Sequence, residues 1–247
     1  LISPILEIGL IRIVDDMLRN LYLIELNSGE CLLVFKHSSQ ISDFAISDNG
    51  KIIISASENE LHLIGVKNKE YQKYKHMILE EYSETTEKLM CCDLNEDGLI
   101  ILTAYDNGIL RIRDLRKESL IEIESGHADE IAKCVISCNG LIAVSSSKDK
   151  TLKIWNTITG DCIDTLFVDS ALHRCIISND SQLLLYSQTR DTIQIVNIQN
   201  GQKIGKFTFD SWVSTLAFSP DRTQIMVGDY SGCVHFLQLE GLNILSR

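Results

Sequence analysis

Five short turn signatures stand at near-equal distances along this chain: SDNG from Ser47, NEDG from Asn95, SCNG from Ser137, SNDS from Ser178 and SPDR from Ser219. Their spacings are 48, 42, 41 and 41 residues. Each is built from Ser, Asn, Asp, Gly or Pro, residues that accept tight-turn dihedrals or bond to their own backbone. A unit that returns every 41 or so residues is a small piece repeated, and each copy gains its core by leaning on the next. Counting one period back from Ser47 reaches Leu6, which puts Gly9 of LEIG at a turn.

The segments beside the marker agree with one another. Before each turn two apolar residues alternate: Phe44/Ile46, Cys92/Leu94, Cys134/Ile136, Cys175/Ile177 and Leu216/Phe218. Period two with one apolar side is a half-buried strand. A second apolar strand follows the turn, as in LIILTAY and LIAVSSS; then come a third, as in ILRIRDL and TLKIWN, and a more polar fourth, as in SLIEIE and QKIGKF. Four short antiparallel strands per period is the pattern of a β-propeller blade. The predicted fold is therefore all-β, a propeller of about six blades over 1–35, 36–83, 84–125, 126–168, 169–209 and 210–247. No strand is left over to interlock the ends, so a seven-bladed or double ring of which this is a part is the favoured architecture.

Composition narrows the function. The 247 residues carry 34 acidic and 23 basic side chains, a net charge of −11, which opposes non-specific nucleic-acid binding. No apolar run approaches the length of a membrane-spanning helix. Eight cysteines without any C-x-x-C read as buried thiols of a cytoplasmic protein, not as a metal cluster. Three of them, Cys92, Cys134 and Cys175, share one inward position of the repeat.

Residues 126–156 contain His127, Ser145 and Asp149, the residue types of a hydrolase triad. They also contain a Gly126-His127 dipeptide, Ile131 four residues on, the turn, and SSSKDKTLKIWN ending at Trp155-Asn156. That arrangement resembles the WD-repeat family, whose last dipeptide is usually Trp-Asp. The resemblance implies that His127, Ser145, Asp149 and Trp155 form a buried hydrogen-bonded brace, and it leaves no exposed nucleophile. No G-x-S-x-G elbow is present to serve a triad. The other repeats are eroded. His37 stands four before Ile41, but Ile64-Gly65 replaces the Trp-Asp pair, and Arg113-Asp114, Val196-Asn197 and Leu237-Gln238 end later repeats. These are expected to hold by apolar packing alone.

The stretch MVGDYSGCVHFLQLEG (226–241) resembles the closing repeat of propellers at the C-terminus of NACHT and NB-ARC signalling ATPases. This implies a covalently linked ATPase domain upstream of Leu1. Within the chain the nearest approach to a P-loop, GQKIGKF (201–207), has the wrong spacing and Phe207 where Ser or Thr is required.

WD-repeat propellers bind proteins or peptides on the face carrying two sets of loops. Aligned on the repeat, that face would present Lys88, Glu130 and Trp212 before inner strands. Tyr105, Lys148, Lys150, Arg190, Asp229 and Tyr230 would follow second strands. The function expected is a non-catalytic interaction scaffold or sensor, part of a larger signalling protein, with no catalytic residue, cofactor or metal. An insertion near 67–88, lysine-rich then glutamate-rich, reads as a solvated loop. The alternative is a propeller hydrolase with its site in the central channel, for which the inner strands offer only Asp43 and Asp93 as acids.

Overall fold

The computed structural model describes residues 2–3, 8–12, 20–25, 27–58, 60–65, 77–78, 87–170, 174–187, 189–219 and 223–239. Among these residues no helix is long and apolar enough to cross a membrane. The regular structure is six antiparallel sheets in which every strand pairs with its neighbour in sequence. The first comprises Ile2–Ser3, Ile8–Arg12, Asn20–Glu25 and Cys31–Lys36. Ile41–Ile46, Ile52–Ser57, Glu60–Gly65 and Met77–Ile78 make the second, and Leu89–Leu94, Ile100–Tyr105, Ile109–Asp114 and Ser119–Glu124 the third. The fourth contains Ile131–Ile136, Ile142–Ser147, Thr151–Asn156 and Cys162–Phe167. Cys175–Ile177, Leu183–Ser187, Thr192–Asn197 and Lys203–Thr208 form the fifth. The sixth has three described strands, Val213–Phe218, Gln224–Asp229 and Val234–Gln238.

The turn signature has a physical cause. Its first residue turns its side-chain oxygen back to accept the N–H that opens the second strand: Ser47 from Ile52 at 3.0 Å, Asn95 from Ile100 at 2.9 Å and Ser137 from Ile142 at 3.0 Å. Ser178 does the same for Leu183 and Ser219 for Gln224, both at 2.9 Å. One bond, repeated five times, fixes the register of each hairpin. The first sheet departs from this pattern. Gly9 is not at a turn but within a strand, paired with Ile2 on one side and Ile24 on the other. Counting back a period assumed a loop of standard length, whereas the hairpin joining Arg12 to Leu21 is longer than its siblings.

Inner strands of consecutive blades from the second to the sixth lie against one another. Those of blades two, three, four and six carry a bulge near their start, which locally increases twist and bends the strand. The apolar core is divided accordingly. Five buried clusters join consecutive blades: Leu21, Leu23 and Ile53 between the first and second; Ile54, Leu89 and Tyr105 between the second and third; Leu102, Ile131 and Trp155 between the third and fourth. Val144, Leu152 and Tyr186 link the fourth and fifth, and Leu185, Ile193 and Ile225 the fifth and sixth. A single blade, apolar on both faces, cannot bury either one alone; stacking is the fold.

Candidate functional site

The polar side chains of the fourth blade meet at one edge of its sheet. Trp155 Nε1 donates to Ser145 Oγ at 2.9 Å. His127 Nε2 lies 2.8 Å from that same oxygen, and His127 Nδ1 lies 3.0 Å from Asp149 Oδ2. An indole only donates and a carboxylate only accepts. Nδ1–H therefore donates to Asp149, and the Ser145 hydroxyl donates to Nε2. Asp149 also accepts from the N–H groups of Ala128 (2.9 Å) and Thr151 (2.8 Å) and from the Thr151 hydroxyl (2.7 Å). Burial opposes the charge on Asp149, but the bonds from Thr151, Ala128 and His127 outweigh it and hold the carboxyl at about 2. Burial lowers the pKa of His127, so its imidazole is neutral at pH 7.

Ser to His to Asp, in this proton order, is the constellation of a hydrolase triad. What separates the two is access. Ser145 is 0% exposed, and its oxygen already takes the indole hydrogen. A nucleophile needs a path for substrate, and Ser145, buried with its oxygen bonded to both the indole and the imidazole, has none. Thr151 is a further member of the cluster that sequence reasoning missed; its place two residues after Asp149 was the available signal.

The central channel is lined by the inner strands. Lys133 Nζ donates to Asp43 Oδ2 at 2.5 Å, joining blade four to blade two, and the Cys92 N–H donates to the same oxygen at 3.2 Å. Asp93 accepts from the N–H of Leu94 and, across the blade interface, from that of Ile136, each at 2.9 Å. Burial pushes Asp93 up to about 6, against the pull of Lys133. The two acids that a channel hydrolase would use are thus occupied in tying three blades together. The thiols beside them are closed in as well. Burial raises Cys92 and Cys134 well above the ordinary thiol value and Cys175 to about 12. Cys134 Sγ lies 3.1 Å from Cys91 Sγ, and no disulfide joins any of the eight cysteines.

The residues aligned to the loop-bearing face divide into three groups. Arg190, Trp212 and Tyr230 come together. The Arg190 guanidinium sits 4.3 Å from the Trp212 ring centroid, and Tyr230 meets the indole edge-on at 6.2 Å. Trp212 and Tyr230 are 52% and 72% exposed. Backbone bonds fix the trio, from Val213 N–H to the Arg190 carbonyl and from Tyr230 N–H to the Trp212 carbonyl. The second group is charged and neutralised in pairs: Lys148 with Glu130, and Lys88 with Glu58 at 3.3 Å. Lys150 is exposed nearby with φ at 68°. The third group is not on the surface. Tyr105 is 1% exposed, sealed in the core beneath Arg111, and offers nothing to a partner. Asp229 is also buried, and it accepts from Ser231, Cys233 and His235. Repeat alignment ranks positions along the chain but does not see which way a loop residue turns. Of the 67–88 insertion, Lys67, Lys69, Lys73, Lys75, Glu80, Glu81 and Glu84 lie outside the described residues. Glu87 is described and pairs with Arg111 at 3.3 Å.

The family model "WD domain, G-beta repeat" matches residues 29–63, 118–156 and 201–236. These three stretches match WD repeats, and the sheets they contribute to are those of a β-propeller. Curated WD-repeat relatives are distant. The rat apoptotic protease-activating factor 1 is 25% identical over 201 residues, 77% of this chain but 16% of its own length. The WD repeat-containing protein SL1-17 of Schistosoma mansoni is 28% identical over 163 residues, 62% of this chain and 54% of that protein. A chain in the crystal structure of the mitotic checkpoint complex superposes with a TM-score of 0.76 at 18% identity, covering 95% of this chain and 71% of that one. The chain spans less than two thirds of the length of the curated relatives it matches first.

Blades two and six do not hold by apolar packing alone, contrary to the expectation from their eroded motifs. In blade two the His37 ring keeps Ser55 Oγ at 2.7 Å, the equivalent of the His127–Ser145 contact. In blade six His235 lies 2.8 Å from Asp229, a different pair, at the register positions of Lys153 and Ser147. Of the brace contacts, blade two thus keeps the one between histidine and serine, which pairs buried polar groups that would otherwise be left unsatisfied.

Proposed function

We propose that this WD-repeat propeller is a non-catalytic protein-interaction module, anchored on a partner by Trp212, Tyr230 and Arg190. The observation that carries this reading is the exposed cluster itself. Trp, Tyr and Arg are the residue types that dominate interface energetics, and here backbone bonds and a cation–π contact preorganise them, which lowers the ordering cost of binding. The WD-repeat relatives support an interaction role in general. The match of 77% of this chain to only 16% of the rat apoptotic protease-activating factor 1, with the GDYSGCVHFL stretch, supports a place within a larger signalling protein carrying an ATPase domain. Its buried thiols support a reducing compartment, the cytoplasm.

The test compares three proteins in partner capture: the parent chain, Trp212→Ala, and Phe167→Ala as a control on another exposed aromatic, 79% exposed on the outer strand of blade four. The expected outcome is a partner bound by the parent and by Phe167→Ala, with binding weakened by about 2 kcal/mol or more in Trp212→Ala. Equal retention or equal loss across the variants would remove the cluster from consideration. Turnover in a hydrolase screen that disappears in Ser145→Ala would overturn the non-catalytic reading.

A further inference from the structure

Blade two has rebuilt the place where blade four carries its brace. In blade four Ser146 pairs with Leu152, so Ser147 and Thr151 flank a three-residue loop; in blade two Ser57 pairs with Glu60 across a two-residue loop. Ser55 pairs with His62 as Ser145 pairs with Lys153, and Ile53 pairs with Ile64 as Ala143 pairs with Trp155. The indole is therefore gone, a carboxylate has moved onto the strand at Glu60, and a second imidazole stands where blade four has a lysine.

These changes converge on one point. His37 Nδ1 lies 3.7 Å from Glu60 Oε2, and His62 Nε2 lies 3.2 Å from the same oxygen. The two imidazoles stack with centroids 4.1 Å apart and planes 20° from parallel. One ligand atom from each of the three residues lies within 4.8 Å of the others. Opposed residues of an antiparallel pair share a face, so Ser55, Ser57, Glu60 and His62 all lie on one side of the sheet. On that side Ser57 Oγ is buried without a hydrogen bond among the described residues.

We propose that His37, Glu60 and His62 bind a divalent transition-metal ion of the zinc class. Two imidazole nitrogens and one carboxylate oxygen are a ligand set such ions take, at about 2.0–2.2 Å, with a fourth position left for water. Tetrahedral ligands at those bond lengths stand roughly 3.3 Å apart, close to the separations of 3.2 and 3.7 Å already present. The outer contact is in place as well. Ser55 Oγ lies 2.7 Å from Nε2 of His37; with the ion bound at Nδ1, Nε2–H donates to that oxygen, the arrangement that orients a metal-bound histidine. The Glu60 side chain is 22% exposed while those of His37 and His62 are 0% and 5%, so an ion enters past the carboxylate and is held by the imidazoles behind it.

The test is a titration of the chain with Co²⁺ and Zn²⁺ after alkylating the exposed thiols Cys31, Cys162 and Cys233 in the folded state. The expected result is one ion per chain by native mass spectrometry, with a Co²⁺ spectrum free of thiolate charge-transfer bands. Glu60→Gln, close to isosteric and partly exposed, and His62→Gln should each weaken binding by about tenfold or more, whereas Asp149→Asn should leave it unchanged. If His62→Gln fails to fold, Glu60→Gln decides. No stoichiometric uptake, uptake unchanged in the folded variants, or a thiolate band after alkylation would overturn the proposal.

Discussion

Asp149 is the side chain whose chemistry can be followed furthest by pH. Its carboxyl is held at about 2 in the fold, against about 4 in an unfolded chain. Between those values the unfolded chain takes up a proton that the folded chain refuses, so stability is full above pH 4 and is lost as the pH falls through 2. Asp149→Asn removes that dependence. The variant should be less stable than the parent by about 2 kcal/mol at pH 7, and the gap should narrow towards pH 2.5 in urea unfolding followed by Trp155 fluorescence. A gap that stays constant with pH would mean that Asp149 acts by shape and not by charge. His127 runs in the same direction. Burial depresses its pKa, so its contribution is present above the unfolded value near 6.5 and fades as acid protonates the imidazole. Both residues were legible in the sequence because the Gly-His, Ser, Asp and Trp stand at fixed offsets from one turn. The tautomer was not, since it depends on which partners surround each nitrogen.

At the scale of the blade, the hairpin turns decide register, and they show where the sequence is under tension. Among the described residues three that are not glycine have positive φ: Glu118 at 51°, Lys150 at 68° and Ser181 at 62°. Each occupies the place of a glycine in sibling blades. Glu118 corresponds to Gly29, Gly160 and Gly201, Lys150 to Gly108 and Gly232, and Ser181 to Gly50, Gly98 and Gly140. An L side chain in this region costs about 1–2 kcal/mol. Ser181 adds a buried hydroxyl without a hydrogen bond among the described residues. Ser181→Gly should therefore stabilise the protein by about 1 kcal/mol, read as a raised melting temperature. The reverse change, Gly140→Ser, should destabilise it, since a Cβ there would come within 2.6 Å of Ile100 Cδ1. A lowered melting temperature for Ser181→Gly would show that the turn needs its serine.

For the whole molecule, stability resides between blades, and the thiols report on it. Cys134 and Cys175 lie in clusters that join consecutive blades, as does Cys92, and burial raises all three. At pH 8 the exposed Cys31, Cys162 and Cys233 should alkylate at ordinary rates. Cys175, at about 12, should react on the order of a thousandfold more slowly, and only as blades separate, when mass mapping should find Cys92 and Cys134 modified with it. Rapid labelling of Cys175 in the folded chain would mean that the fourth and fifth blades open readily. The sequence by itself determined the strands, the turns that register them and the repeat pitch, because strand alternation and turn dihedrals are local and recur with every copy; its resemblance to the WD-repeat family implied the brace of the fourth blade. Only the tertiary structure decided that Tyr105 and Asp229 face inward, that Lys133 reaches Asp43 across the channel, and that His37 and His62 stack beside Glu60. Those outcomes depend on the angle between one blade and the next and on the direction a loop takes over its neighbour, and no spacing along the chain encodes either.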